Sequence, residues 1–276
     1  TWNTPRSTST VTINGRNWAL DNFGEDLLAT VSNGATYVWN TSSGLTSNRA
    51  AVVSNAPSKS RFNLISMPDR HVFLFGTETV IGSTSTADDL FLRFSSQEDY
   101  NTWTPTATNT AGSFRIQDGS KIMDAIRSRN AVLVWTDTSL HALQFVGAPF
   151  TFSLSQIGAN CGAVSQHSAV DVNGTAFWMS QNSFYRFDGA ISKMPCSVQD
   201  YVFEDFNSES LFELSITSQN SLGSNGLGAQ FDFKNGGQGD IIATQTFVDL
   251  LGAYEGDPRA AFLEEDKEGT MNAFVK

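Results

Sequence analysis

Apolar and polar residues follow one repeated pattern in four places along the chain. Each copy has a short apolar run, a polar turn and a second run rich in aromatic residues, which is the composition of a β-hairpin. The four copies are Asp26–Thr30 with Ala35–Trp39, Arg70–Phe75 with Leu90–Phe94, Ala131–Trp135 with Leu140–Phe145, and Thr175–Met179 with Phe184–Phe187. The pattern therefore predicts four antiparallel hairpins.

The hairpins recur at a nearly regular spacing. The residues that open the four turns are Thr30, Gly76, Thr136 and Ser180, at intervals of 46, 60 and 44 residues, and the long interval contains the extra segment Glu78–Asp89. Repeats of this length that are built from strands are typical of β-propellers. We therefore predict an all-β fold with a propeller-like body of antiparallel blades.

Particular tryptophans and glycines are expected to support this fold. Large aromatic side chains fill blade cores, and glycine suits tight turns. The predicted core residues are Trp39, Trp103, Trp135 and Trp178. The predicted turn residues are Gly76, Gly119, Gly147, Gly174 and Gly189.

The character of the sequence changes near residue 208. Residues 1–22 predict an initial strand in two parts, Val11–Ile13 and Trp18–Leu20, separated by an Asn-Gly turn. Residues 1–207 are predicted to form the blades. Residues 208–276 are rich in Gly and Asn and are predicted to form an extension or contact arm, with a strand at Asp240–Thr244 and a short helix at Pro258–Asp266. Because the chain starts with Thr1, we expect it to be part of a longer polypeptide.

Composition narrows the class of protein. The chain has 276 residues with 21 Phe, 6 Trp and 22 Gly, which fits short strands joined by many tight turns. Its net charge of −11 disfavours tight binding to nucleic-acid phosphates. An acidic wall would, however, discourage sticking in a conduit through which DNA slides.

Several other classes of protein lack support in the sequence. The two cysteines, Cys161 and Cys196, are too few for a disulfide framework or a zinc site and are expected to be small buried residues. No run of 18 apolar residues predicts a membrane span, and no signal peptide is evident. The segment Gly112–Lys121 resembles a phosphate-binding loop, but its glycine spacing is wrong.

The sequence predicts no catalytic, cofactor-binding or metal-binding residues. Ser165, His167 and Asp171 have the residue types of a nucleophilic triad, but their spacing predicts only a shared polar strand face. The histidines His71, His141 and His167 are far apart in the sequence, which argues against a metal site.

Paired carboxylates and arginines were considered as glycosidase groups. Acidic neighbours on a strand point to opposite faces, and acidic neighbours in turns are commonly solvated caps. The pairs are Asp88-Asp89, Glu98-Asp99, Glu204-Asp205 and Glu264-Glu265-Asp266. Four arginines, Arg70, Arg93, Arg115 and Arg186, could form a carboxylate clamp only if they converged.

The segment Ser96–Trp103 resembles the Asp-box hairpin of sialidases and related propellers. The match places Glu98 at the Asp position and Tyr100 at the Gly position. In that motif the Trp packs into the blade and the acidic residue bonds the turn. The resemblance therefore implies a propeller blade and carries no implication of glycosidase activity.

Four longer segments, taken in order, resemble virion proteins of bacteriophages. They are Trp18–Thr30, Leu92–Pro105, Gly158–Gly162 and Phe177–Gly189. The resemblance is to the hub or nozzle propellers of tailed phages, including the packaged-DNA stabilisation proteins of short-tailed phages, over about residues 1–207.

This resemblance implies a structural role in the virion tail. Six subunits would form a homohexameric ring that continues the channel of the portal and adaptor proteins. The ring would close the exit before infection and let double-stranded DNA pass, without specific binding, on ejection. Aromatic residues that suit subunit contacts are Tyr100, Trp103, Phe150 and Phe152, although each also suits core packing.

Two alternative functions stay open. A carbohydrate-active propeller enzyme would need clustered Arg and acidic residues in a central pocket, and the sequence has no glycosidase nucleophile motif. A receptor-binding or glycan-binding tail module would be expected to be a trimer, and the sequence has no coiled-coil or collagen-like trimerisation segment.

Overall fold

The described part of the chain is built from antiparallel sheets. The computed structural model describes residues 17–40, 42, 49–129, 131–197, 199–204, 215–219, 228–234 and 241–246. Four successive sheets each contain four strands that pair in chain order. This meander is the blade unit of a β-propeller, so the predicted all-β, propeller-like class is confirmed.

The strands divide evenly among these sheets. The first sheet contains β1 Trp18–Phe23, β2 Asp26–Val31, β3 Thr36–Trp39 and β4 Ala51–Val52. The second contains β5 Phe62–Ile65, β6 Val72–Phe75, β7 Phe91–Phe94 and β8 Gly112–Arg115. The third contains β9 Ile122–Arg127, β10 Val132–Thr136, β11 Ser139–Gly147 and β12 Thr151–Ala159. The fourth contains β13 Ala169–Val172, β14 Thr175–Met179, β15 Phe184–Phe187 and β16 Ile191–Lys193.

Each predicted hairpin forms the central pair of one sheet. The pairs β2–β3, β6–β7, β10–β11 and β14–β15 are antiparallel, as the sequence predicts. Their neighbours, the first and fourth strands of each sheet, were predicted only at Trp18–Leu20 in β1. The second part of the initial strand, Val11–Ile13, lies outside the described residues.

Strands β6 and β10 are buried on both faces because each lies in a sheet that packs between two others. Every residue of both strands is buried. Alternate residues enter different cores: Phe73 lies in the core shared with the third sheet, whereas Leu74 lies in the core shared with the first. In β10, Val134 and Trp135 divide in the same way between the second and fourth sheets. The cores between successive sheets therefore depend on the two-residue period of the strands.

The structure confirms three of the four predicted core tryptophans and all five predicted turn glycines. Trp103, Trp135 and Trp178 are buried, as predicted. Trp39, the last residue of β3, is only partly buried, so its placement in a blade core is confirmed only in part. All five predicted turn glycines have positive φ. At Gly119 the need is strict, since φ is +97° and an added Cβ would lie 2.6 Å from a carboxylate oxygen of Asp137.

Further elements follow the fourth sheet. They are a short helix, α1 Gln199–Glu204, and a three-stranded antiparallel sheet of β17 Ser215–Gln219, β18 Gly228–Lys234 and β19 Ile241–Thr246. The sequence predicts a strand near β19 but does not predict β17 and β18, although Asn225-Gly226 and Asn235-Gly236 stand in the segments that connect these strands. The helix predicted at Pro258–Asp266 lies outside the described residues. Among the described residues, no helix has the length and apolar character needed to cross a membrane.

Candidate functional site

The first strands of the four sheets meet through a network of polar contacts. Each first strand carries an Asp or Asn, and three of these carboxylates bond to a different sheet from their own. We call this set the first-strand network. Its members are Asp21, Ile65, Asp124, Arg127, Ser128, Ala169 and Asp171.

An ion pair joins the first and third sheets. Arg127 Nη1 lies 3.0 Å from Asp21 Oδ2, and Nη2 lies 3.1 Å from Oδ1, so the pair is bidentate. The second sheet is included as well, because Ile65 donates its N–H to Asp21 Oδ2 at 2.8 Å and accepts a bond from Arg127 Nη1 at 2.9 Å. A bidentate ion pair holds its two side chains in a defined orientation. The contact therefore fixes three sheets at one point.

Asp124 joins the third sheet to the fourth from a buried position on β9. Its Oδ2 accepts the N–H of Ala169 at 3.0 Å, and its Oδ1 accepts the N–H of Ala125 at 2.9 Å. Burial raises the pKa of Asp124 to about 7, although the bonds from backbone N–H groups lower it. A carboxyl with a pKa near 7 could exchange protons at neutral pH, but its two oxygens are occupied by the main chain.

The three residues with triad side-chain types, Ser165, His167 and Asp171, have separate local partners. Ser165 and His167 precede β13, and His167 has a φ of +64°, so the predicted shared strand face is wrong for these two residues. Ser165 Oγ donates to the carbonyl of Gln166. Asp171 accepts the hydroxyl of Ser128 at 2.8 Å and the N–H of Gly174 at 2.8 Å. Its carboxylate stabilises the contact between β9 and the β13–β14 turn.

The four arginines weighed as a carboxylate clamp have separate partners. Arg70 lies over the ring of Phe23. Arg115 pairs with Asp88 at 2.6 Å, and Arg186 donates to the hydroxyl of Ser192 at 2.9 Å.

Arg93 is the buried member of the four. It donates to the carbonyls of Glu78, Thr79 and Trp103, and burial lowers its pKa. Both terminal nitrogens of the guanidinium donate to main-chain carbonyls, whereas its buried Nε has no hydrogen-bond partner. Arg93 therefore fixes the segments before and after β7.

Histidine and cysteine side chains are dispersed in the structure. His71 precedes β6, His141 lies in β11, and His167 precedes β13. Across the ranges that the structure describes, no three His, Cys, Asp or Glu side chains are grouped to hold a metal ion. Cys161 is buried, which raises the pKa of its thiol to about 11, whereas Cys196 is only partly buried.

The Asp-box-like turn has the expected tryptophan but a different acidic residue. Trp103 is buried, and its Nε1 donates to the carbonyl of Tyr100 at 2.8 Å. The carboxylate that bonds the turn is that of Asp99, which accepts the N–H of Asn101 at 2.8 Å and the hydroxyl of Thr102 at 2.6 Å. The placement of Glu98 at the Asp position of the motif is wrong. Glu98 has a φ of +55°, and it is the next residue, Asp99, whose carboxylate bonds the turn.

This assignment gives a direct test. Asp99→Ala removes both bonds and is expected to lower the free energy of unfolding by about 1 to 2 kcal/mol. Glu98→Ala is the matched control and is expected to change it by less than about 0.5 kcal/mol, as at other surface sites. Urea unfolding of both variants measures the difference. A larger loss for Glu98→Ala would restore the original alignment.

The aromatic residues considered for subunit contacts divide into core and surface. Trp103 and Phe152 are buried in cores between sheets, so core packing is confirmed for these two and surface contact is excluded. Tyr100 is partly buried and donates its hydroxyl to Asp26 at 3.2 Å. Phe150 is 77% exposed at the turn between β11 and β12. Only Phe150 is therefore largely available to a partner.

The structure has two exposed apolar surfaces that the sequence pattern does not predict. One is the rest of the β11–β12 turn, where Phe145 and Val146 are exposed together with Phe150. The other is the free face of the first sheet, which includes Trp18, Leu20 and Val52. Alternation alone does not reveal these surfaces, since it predicts which residues share a face but not which face is covered.

Comparisons with known proteins report a distant structural likeness. No protein-family model matches the sequence, and no curated protein matches it. One solved structure, described as "Crystal structure of BBS1N in complex with ARL6DN, soaked with mercury", matches 79% of this chain at 10% sequence identity, with a TM-score of 0.44. The match spans 60% of the length of that chain.

Proposed function

We propose that this chain is a structural protein of a bacteriophage tail hub or nozzle. In this role it forms a homohexameric ring in the virion tail, below the portal and adaptor proteins. The ring extends and closes the DNA channel and lets the DNA leave on ejection. The family resemblance of residues 1–207 is the source of this proposal.

The observation that carries the proposal is that the carboxylates bond within the fold, whereas several apolar side chains are exposed. The carboxylates that could in principle serve as acids or bases, such as Asp21, Asp124 and Asp171, bond to neighbouring sheets and so support the fold. The apolar side chains at the surface, in contrast, remain open to solvent: Trp18, Leu20, Val146 and Phe150 are each at least half exposed. Exposed apolar patches of this kind mark protein–protein contacts. This division supports an assembly role better than an enzymatic one.

The charge distribution supports passage of DNA without specific binding. The net charge is −11, and several cationic side chains already have internal partners, Asp21 for Arg127 and Asp88 for Arg115. Arg93 is buried against main-chain carbonyls. Affinity for duplex DNA grows with the number of phosphates that Lys and Arg neutralise. These three arginines are therefore less available to phosphates, and the net negative charge opposes tight binding further, so DNA would slide past the ring.

The mass of the assembly tests the proposal. We expect the full-length protein to form a sixfold ring, alone or with its virion neighbours, as measured by native mass spectrometry or light scattering. A monomer that persists in the presence of those neighbours would contradict the tail-hub role and favour a glycan-handling propeller. A trimer would contradict it in favour of receptor binding.

A further inference from the structure

The β11–β12 hairpin is longer than the other hairpins and projects past its own sheet. Strand β10 pairs with β11 only up to Leu143, whereas β11 and β12 stay paired to Gly147 and Thr151. The projecting part carries Phe145, Val146 and Phe150, which are 41%, 53% and 77% exposed. We call these three residues the hairpin tip. Phe145 packs in part against His71 and Phe152, whereas Phe150 at the turn is largely exposed and is available for a partner.

A second exposed apolar surface lies on the first sheet. Leu20, Ala29, Tyr37 and Val52 are direct cross-strand neighbours, so their side chains share one face. Trp18 lies on the same face, two residues before Leu20, with its ring centroid 6.0 Å from that of Tyr37. We call these five residues the free row. Trp18, Leu20 and Val52 are 50%, 62% and 55% exposed, so no other described segment of the chain covers this face.

Both surfaces are uncharged in a strongly acidic protein. Residues 138–170, which include the whole β11–β12 hairpin, contain no Asp, Glu, Lys or Arg, and the free row has none either. Two copies of a chain with a net charge of −11 repel one another wherever their acidic surfaces approach. Contact through two uncharged apolar patches avoids that cost and buries aromatic residues, which dominate interface energies. The best-matched occupant of each patch is therefore the other patch on a second copy.

We propose that the hairpin tip of one copy packs against the free row of the next copy. The two patches lie on the third and the first sheet, and the proposed contact is head-to-tail, so that each dimer keeps one tip and one row for further copies. Repetition of such a contact closes a ring when the rotation between copies permits it. The proposal rests on the proposed ring and specifies which surfaces build it.

Paired variants test the contact. Phe150→Asp places a charge in the tip, and Leu20→Asp places one in the row; each position is exposed, so the fold can accept the change. Ser155→Asp, farther down the same hairpin, and Ser54→Asp, just after β4, are exposed controls for charge alone. We expect wild type and both controls to retain the sixfold mass in native mass spectrometry and each patch variant to lose it. Circular dichroism and the melting temperature confirm that all four variants fold.

Mixing the two patch variants distinguishes a head-to-tail contact from a symmetric one. A Phe150→Asp copy keeps its row and a Leu20→Asp copy keeps its tip, so one productive contact can form and the mixture is expected to stop at a dimer. Loss of the ring in both variants without a mixed dimer would overturn the proposal in favour of tip-to-tip or row-to-row contacts. A ring that survives Leu20→Asp would overturn it by showing that another segment of the chain covers the row. A wild-type protein that forms no ring fails the proposed function instead.

Discussion

Replacing Trp178 with alanine is expected to lower the free energy of unfolding by about 3 to 5 kcal/mol. Trp178 is fully buried between the third and fourth sheets, where its ring centroid lies 5.4 Å from that of Trp135 and 5.6 Å from that of Tyr185. Its Nε1 donates to the carbonyl of Cys161 at 2.7 Å. Alanine would leave both a cavity and an unpaired buried carbonyl, and these two costs add.

Denaturant unfolding of the Trp178 variant is best compared with that of a variant at an exposed apolar residue outside both proposed contact surfaces. Val80→Ala removes apolar atoms from a side chain that is 58% exposed, where the cost is expected to stay below about 1 kcal/mol. Equal losses for the two variants would show that Trp178 does not fill a core. A Trp178→Phe variant should fall between wild type and alanine, because it retains most of the apolar volume but loses the hydrogen bond.

A second large effect is expected in the pH dependence of the free energy of unfolding, to which two buried groups, His71 and Asp124, contribute in opposite directions. His71 is fully buried against the rings of Phe94, Phe145 and Phe152, and burial lowers its pKa from 6.5 to about 4. The unfolded chain therefore takes up a proton below pH 6.5 that the folded chain refuses until about pH 4. Stability from this group falls as the pH is lowered across that window, by up to about 3 kcal/mol.

Asp124 acts in the opposite direction. Its folded pKa is about 7, whereas the ordinary value is 3.8, so the folded chain holds a proton that the unfolded chain has lost. Stability from this group therefore falls as the pH rises from about 4 to about 7. Between pH 4 and 6.5 the slopes from His71 and Asp124 largely cancel in the wild-type protein.

Single substitutions should expose each slope. Asp124→Asn leaves the slope of the histidines, since desolvation lowers the pKa of His141 and His167 as well as that of His71, so its stability should rise between pH 4 and 6.5. His71→Phe, which keeps a ring among the three phenylalanines, should instead become less stable as the pH rises toward 7. Urea unfolding at half-unit pH steps measures both curves. Parallel curves for wild type and Asp124→Asn would show that Asp124 is ionised throughout this range.

The parts of the fold that the sequence predicts are those with strong local patterns. Strands β6 and β10 are apolar on both faces, so each appears as an unbroken apolar run beside a turn. Strands β8 and β16 are short, and none of their residues is fully buried, so no alternation marks them. The four-stranded sheets were therefore recognised only through their central hairpins.

Contacts between distant residues leave no local pattern. Asp21 and Arg127 are 106 residues apart, and each alone is an ordinary charged residue in a strand. The choice between Glu98 and Asp99 failed for a different reason: the spacing to Trp103 suggested one position, but the backbone conformation at Glu98 decides which carboxylate reaches the turn. Exposure of the free row also depends on the arrangement of whole sheets, which no local pattern gives.

The ion pair between Asp21 and Arg127 can form only after the ribosome has added residue 127. Because a ribosome adds about 5 to 20 residues per second, the arginine follows the aspartate by about 5 to 20 seconds. During that interval the first two sheets exist as a nascent chain in which Asp21 can accept the N–H of Ile65 but has no cation. Closure of this three-sheet contact is thus a late event, and a translational pause before residue 127 would prolong the time in which the half-made blades can meet another nascent chain.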